Sequence, residues 1–124
     1  MKKKVAFLGL GKMGSLMAKH LVEAGQSVTG YDPVPKTMLA ANKNGVRTAK
    51  SPSAAVRGTD IICSSLPTPA IVRDVYLGSG GALKVARRGV VIFELSTSEV
   101  ALALEIASLA KKKEVAFLDA PVSG

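Results

Sequence analysis

Tryptophan is absent from this sequence, cysteine occurs once, and two Tyr and three Phe are the only other aromatics besides a single His. One thiol, Cys63, excludes an internal disulfide. Within Asp60-Ile61-Ile62-Cys63-Ser64-Ser65-Leu66 it reads as a buried strand residue, with no base beside it to make it a nucleophile. So few rings leave no platform on which single-stranded nucleic acid could stack. Apolar runs are strand-sized, short of the ~20 residues of a membrane helix. Met1 to Lys4 lead into the first strand without the apolar core and cleavage site of a signal peptide, so a cytosolic location is expected. Acidic residues are also few, nine against 17 Lys and Arg, for a formal net charge of +8. Apart from Lys2 to Lys4 and Lys111 to Lys113 the basic residues are scattered, with one small pair at Arg87 and Arg88. The charge therefore reads as a solvated surface with some attraction for anionic ligands. No nucleic-acid partner, membrane or metal is expected.

Aliphatic residues are what the chain has in quantity. At 124 residues, 48% hydrophobic and 21% charged, it has the make-up of one soluble globular domain. Its most informative stretch is Val5-Ala6-Phe7-Leu8-Gly9-Leu10-Gly11-Lys12-Met13-Gly14, then an amphipathic run, then Ser27-Val28-Thr29-Gly30-Tyr31-Asp32. This reads as strand, glycine turn, helix and a second strand ending in a carboxylate, the setting a dinucleotide-binding G-x-G-x-x-G requires. Gly9 permits a tight turn, Gly11 leaves room for a pyrophosphate, and Gly14 lets the helix pack close to the strand. Main-chain N–H groups from Leu10 through Gly14 lie at the positive end of the helix dipole and offer a phosphate site. Met13, Leu16, Met17, Leu21 and Ala24 recur at helical spacing, and Gly25 stops the helix. Asp32, about 20 residues beyond the turn, can accept hydrogen bonds from an adenosine ribose and would repel a 2′-phosphate. Its alternative role is to cap the turn made with Pro33 and Pro35.

The rest of the chain alternates in kind. A helix is expected over Thr37 to Asn44, an edge strand over Gly45 to Thr48, and a helical turn opened by Ser51 as N-cap with Pro52 first. A strand over Asp60 to Leu66 is broken by Pro67-Thr68-Pro69, followed by helices over Ala70 to Tyr76 and Ala82 to Ala86. Val90 to Leu95 reads as a strand and Glu99 to Lys112 as a helix with Val100, Ala103, Leu104, Ala107, Leu109 and Ala110 as its buried stripe. Val115 to Leu118 is the last strand. Strands nearly continuous in apolar residues predict a parallel sheet covered on both faces, here six-stranded and doubly wound in the order 3-2-1-4-5-6. The loops Leu66-Pro67-Thr68-Pro69 and Leu95-Ser96-Thr97-Ser98 should then rim the same crevice as the glycine turn. Ser96, Thr97 or Ser98 could equally serve as an N-cap, with Glu99 an acidic first-turn residue.

Gly9-Leu10-Gly11-Lys12-Met13-Gly14 with Met17-Ala18, Ser65-Leu66-Pro67, Ser96-Thr97 and Phe117-Leu118-Asp119-Ala120-Pro121-Val122-Ser123-Gly124 resemble, in order and spacing, the 3-hydroxyisobutyrate dehydrogenase family of β-hydroxyacid dehydrogenases. The resemblance implies a Rossmann-type domain binding NAD or NADP and an enzyme that oxidises 3-hydroxy acids or reduces the corresponding semialdehydes. It implies that Leu10 and Met13 line the dinucleotide, that Asp32 selects the ribose, and that Leu66, Pro67 and Thr97 approach the cofactor. Ser123 and Gly124 match the positions where the family holds the substrate carboxylate. Asp32 beside Tyr31, with no Arg directly after it, favours NAD, although Lys36 lies where it could meet a 2′-phosphate.

The resemblance also implies what residues 1–124 lack. The family's active-site Lys, its general acid/base, and its helical substrate and dimerisation domain lie beyond the Ser-Gly motif. The expectation is therefore a truncated dinucleotide-binding domain, without catalytic residues, of a longer homo-oligomeric enzyme. The alternatives are a stand-alone non-catalytic binding or interaction module, or a fragment of a related imine reductase or 6-phosphogluconate dehydrogenase. Three positions depart from the family: Glu94 stands where Asp is common, Glu99-Val100 where a Pro follows Ser-Thr, and Lys113-Glu114 where a Gly precedes the last strand.

Overall fold

Strands form where the apolar runs stand. In the computed structural model, which describes residues 2–96 and 99–121, they are β1 (Lys4–Leu8), β2 (Ser27–Tyr31), β3 (Arg47–Thr48), β4 (Ile61–Ser64), β5 (Val91–Glu94) and β6 (Ala116–Asp119). All pair in parallel, in the order β3-β2-β1-β4-β5-β6. Helices α1 (Lys12–Glu23), α2 (Pro35–Asn42), α3 (Pro52–Val56), α4 (Pro69–Leu77) and α5 (Val100–Lys112) make the crossovers. This is the doubly wound Rossmann arrangement, with its crevice where the order reverses, at the C-terminal ends of β1 and β4.

Local chemistry explains the helix ends. Gly25, at φ +92°, ends α1: its N–H donates to Val22 O and the Gln26 N–H donates to Leu21 O, satisfying carbonyls of the last turn. Ser51 and Thr68 cap α3 and α4, their hydroxyls accepting from the Ala54 and Ile71 N–H groups at 3.1 and 3.2 Å. Helix α2 starts two residues before the expected Thr37, because Pro35 already has the φ of a first helical position. Only Ala82–Lys84 of the expected helix over 82–86 forms, as a 3-10 turn. Glu99 occupies the N-cap of α5 without a side-chain bond, and Ser96 is buried elsewhere, so Ser96 is not that helix's cap. At the family's usual Gly before the last strand, Glu114 takes φ +58°, a left-handed conformation glycine would adopt without strain.

Two expected stripes are corrected. On α5 the residues facing the sheet are Leu102, Ile106 and Ala110, while Val100 and Leu104 are 74% and 66% exposed. The helix is apolar over most of its circumference, so periodicity alone does not single out its buried side. On α1 the close approach is made by Gly14 and Ala18; Met17 and Leu21 pack beside them, whereas Met13, Leu16 and Ala24 are exposed.

Coverage of the sheet differs from expectation too. One face is closed by α3, α4 and α5 over Ala6, Leu8, Ile62 and Ile92, with Tyr76 edge-on to Phe117 at 6.2 Å between ring centres. On the other, α1 and α2 close over Val5, Phe7 and Val28. Beyond β1 that second face continues across β4, β5 and β6 as Ile61 and Cys63, Val91 and Phe93, Ala116 and Leu118. Ile61 and Cys63 still pack against the edge of the α1-side core, but no described helix lies over Val91, Ala116 and Leu118, and all six residues are half-buried or exposed.

Candidate functional site

The site grows from the turn after β1. Gly9 has φ +100°, its N–H donates to Tyr31 O at 2.8 Å, and a Cβ there would stand 2.0 Å from Ser65 O. A Cβ on Gly14 would stand 2.1 Å from Gly9 O. The fold itself demands glycine at both positions. Gly11 differs, for it has φ −66° and ψ −167°, available to any residue, and a Cβ would meet nothing within 4 Å. Among the described residues nothing requires glycine at 11.

Gly11 is the N-cap of α1, and its carbonyl accepts the first helical bond, from the Ser15 N–H at 2.8 Å. The Lys12, Met13 and Gly14 N–H groups therefore lack intrahelical acceptors, at the positive end of the helix dipole. They face a cleft of about 420 Å³ that Gly11, Asp32, Leu66 and Pro67 also line, with Val34, Thr37 and Ile71. Gly9 and Leu10 do not line it. The Leu10 side chain is 2% exposed in the core, and its N–H donates to Asp32 Oδ2 at 2.7 Å. The Leu10 side chain and N–H, expected to line the dinucleotide, are thus both engaged within the fold.

Asp32, only 8% exposed, is held from two sides, because its Oδ1 also accepts from the Val34 N–H at 2.8 Å. It thus caps its own turn as one reading expected, and it also ties β2 to the glycine turn. Two carboxylate oxygens offer about four acceptor positions, so about two remain for a ligand. Burial, then the carboxylates of Asp74 and Asp32, push the neighbouring Tyr31 phenol above its ordinary range. Lys36 is exposed and outside the cleft lining. Thr97, Ser123 and Gly124 lie outside the described residues.

Sequence reasoning missed the polar layer under the cleft wall. Glu94 and Ser64 are register partners on β5 and β4, both fully buried, and Ser64 Oγ donates to Glu94 Oε2. Tyr76 OH donates to Ser64 Oγ at 2.6 Å, the Ser96 N–H donates to Glu94 Oε1 at 2.7 Å, and the Leu66 N–H donates to Ser96 Oγ at 2.6 Å. Desolvation raises the Glu94 carboxyl above its usual range against hydrogen bonds from Ser64 and Ser96, and it raises Tyr76 well above its own. The available signal was a carboxylate ending an otherwise apolar strand. Cys63 is half-buried in β4, its thiol pushed up to about 11 by burial, which keeps it protonated and unreactive. Among the described residues no helix is long and apolar enough to cross a membrane, and no group of three His, Cys, Asp or Glu could hold a metal ion.

Known proteins share this fold. The chain is 37% identical over 122 residues to a probable mitochondrial 3-hydroxyisobutyrate dehydrogenase of Dictyostelium discoideum, covering 98% of this chain and 38% of the relative. The solved 3-hydroxyisobutyrate dehydrogenase of Mycobacterium tuberculosis with L-serine is 40% identical and superposes with a TM-score of 0.92, over 100% of this chain and 42% of that one. An imine reductase variant from Myxococcus stipitatus in complex with NAD+ shares the fold, with a TM-score of 0.83 at 22% identity over 94% of this chain and 40% of the other. The chain thus spans about two fifths of the length of these relatives. The mitochondrial name of one of them means that family likeness does not carry the expected cytosolic location. The family described as the NAD binding domain of 6-phosphogluconate dehydrogenase matches residues 4–124, nearly the whole sequence, and this chain belongs to it.

Proposed function

We propose that the cleft prefers NAD to NADP and that the domain serves a longer enzyme acting on a small 3-hydroxy acid or the corresponding semialdehyde. Gly11 carries the reading. Its Cβ position is empty and its backbone ordinary, so the fold leaves the space beside the helix N-terminus open, which supports a phosphate there. The Lys12, Met13 and Gly14 amides would hold the pyrophosphate, and the remaining acceptor positions of Asp32 the ribose hydroxyls. Leu66 and Pro67 form the opposite wall. Gly9 and Leu10 act one step back, Gly9 by making the turn and Leu10 by orienting Asp32. Roles for Thr97 at the cofactor and for Ser123 and Gly124 at the substrate carboxylate rest on the resemblance alone.

When bound, a nicotinamide supplies the hydride donor or acceptor. The contribution of these residues is to bind and orient it, since holding reactants close is a large part of what a hydride-transfer enzyme supplies. The proton-handling Lys and the other substrate wall belong, on this reading, to polypeptide beyond residue 124. Calorimetric titration of the chain with NADH and NADPH tests the cofactor part. NADH is expected to bind about tenfold more tightly or better, the equivalent of one good electrostatic difference. Binding of neither removes the reading, and preference for NADPH reverses the role given to Asp32. A longer protein carrying this domain should oxidise a short 3-hydroxy acid; tight NADH binding without turnover of that class would leave only a binding module.

A further inference from the structure

The wall formed by Leu66 and Pro67 is not held by β4 alone. Strand β4 ends at Ser64, and the Leu66 N–H finds its acceptor on Ser96, beyond the end of β5. Ser96 is in turn fixed by its own N–H to Glu94 Oε1, while Glu94 Oε2 takes the Ser64 hydroxyl that Tyr76 steadies from α4. Glu94, Ser64 and Tyr76 are fully buried and Ser96 nearly so, which leaves water unable to substitute for any of these bonds. Ser65 O and Leu66 Cδ2 already stand 2.0 and 2.9 Å from where a Cβ on Gly9 would be. The wall therefore cannot move toward the turn, and any slack in its anchoring opens the cleft. A leucine at 94 would avoid burying a carboxylate, but it would leave the Ser96 N–H and the Ser64 hydroxyl without their acceptor.

We propose that Glu94 is a positioning residue for the dinucleotide cleft: it braces the loop after β5 against β4, and through Ser96 it fixes the Leu66–Pro67 wall opposite the glycine turn. This deepens the cofactor reading and rests on it. Glu94 touches no ligand in this role; its two oxygens set where the wall stands.

The test uses the 124-residue chain with NADH as probe, read by calorimetry, together with amide exchange at Leu66 by NMR. Glu94→Ala, which removes the acceptors of both Ser64 and Ser96, and Ser96→Ala, which removes the acceptor of Leu66, are each expected to weaken NADH binding by about tenfold or more and to speed exchange at Leu66 by about as much, the consequence of at least one lost buried bond. Glu94→Gln, which keeps an acceptor for Ser96 and a partner for Ser64, is expected to stay within about threefold of the unaltered chain. Ile106→Ala, a core truncation on α5, controls for stability: it should lower Tm while leaving NADH affinity within about twofold. If Glu94→Ala does not fold, Ser96→Ala decides, since it leaves the carboxylate and its other partners in place. The proposal is overturned if folded Ser96→Ala and Glu94→Ala bind NADH like the unaltered chain, or if Ile106→Ala weakens binding as much as they do. Failure of the unaltered chain to bind any dinucleotide is a separate result, which removes the cofactor reading and this proposal with it.

Discussion

Replacing Gly11 and Gly14 separately by alanine divides what the fold needs from what the ligand needs. At Gly14 a Cβ would stand 2.1 Å from Gly9 O, a backbone atom that cannot rotate away, so helix and turn must part. Overpacking of this kind costs about 3 kcal/mol or more. For a domain of this size that lowers Tm by roughly 10 °C. At Gly11 the added methyl meets no protein atom within 4 Å, and φ of −66° suits alanine. Alanine is a poorer N-cap than glycine by about 1 kcal/mol, and it restricts the unfolded chain in the stabilising direction by about 0.4–1 kcal/mol. The two nearly cancel, and Tm should move by less than about 3 °C. The same methyl enters the space assigned to the pyrophosphate, where a loss of about 1–3 kcal/mol corresponds to roughly five- to 150-fold weaker NADH binding. Circular-dichroism melts and calorimetric titration measure the two effects on the same samples. Gly11→Ala with native Tm and native NADH affinity would refute the placement of the pyrophosphate.

Asp32→Asn leaves one acceptor oxygen where Leu10 and Val34 both need one, so a loss of about 1–3 kcal/mol in stability is expected alongside a narrowing of the NADH preference by about tenfold or more; an unchanged NADH to NADPH affinity ratio would show that the carboxylate is not the selector. Cys63, with its thiol near 11 against an ordinary 9.0, should be alkylated by iodoacetamide about a hundredfold more slowly than in the urea-unfolded chain at neutral pH, and equal rates would contradict its burial. Glu94, raised above 4.5 in the fold, contributes stability that is fully present below that value and lost as pH rises through its folded pKa, whereas Asp60 and Glu105, lowered from 3.8 and 4.5, contribute stability that is lost as pH falls through theirs. Urea unfolding at a series of pH values should therefore show a decline on both sides for the unaltered chain, and Glu94→Gln should abolish the first part of the decline above the carboxylate range, leaving the acid side and the later loss where Cys63, Tyr31 and Tyr76 ionise. A first part that survives in Glu94→Gln would assign it to another group.

Most of the fold was legible because its signals are local. Strand-length apolar runs, Gly25, Ser51-Pro52, Pro67-Thr68-Pro69 and the glycine turn each act within a few residues of themselves, and together they fix six strands and their crossovers. Helix faces were less legible. In α5, Leu102, Ile106 and Ala110 cannot be told from Val100 and Leu104 by hydropathy, because which side is buried depends on where β5 and β6 lie. The half-bare sheet escaped for a related reason: Val91, Phe93 and Leu118 have the composition of strands buried on both faces, and whether a helix covers them is decided by chain that is remote in sequence.

The candidate site divides along the same line. Glycine spacing and the carboxylate after β2 are visible in sequence, yet the roles within the motif are redistributed by hydrogen bonds that span it. Leu10, placed at the centre of the motif, gives its N–H to Asp32 and so orients that carboxylate. Asp32 in turn is fixed by both ends of a 25-residue stretch, from Leu10 to Val34, so the glycine turn and the end of β2 share one anchor. Glu94 is placed toward the opposite wall as Asp32 is toward the turn: one buried carboxylate, with an oxygen for each of two segments, ties the end of β4 to the loop after β5, from which Ser96 holds Leu66. A cleft framed in this way is set before any ligand arrives, and its affinity should respond to the loss of an anchoring bond more steeply than to an equal loss of stability in the core.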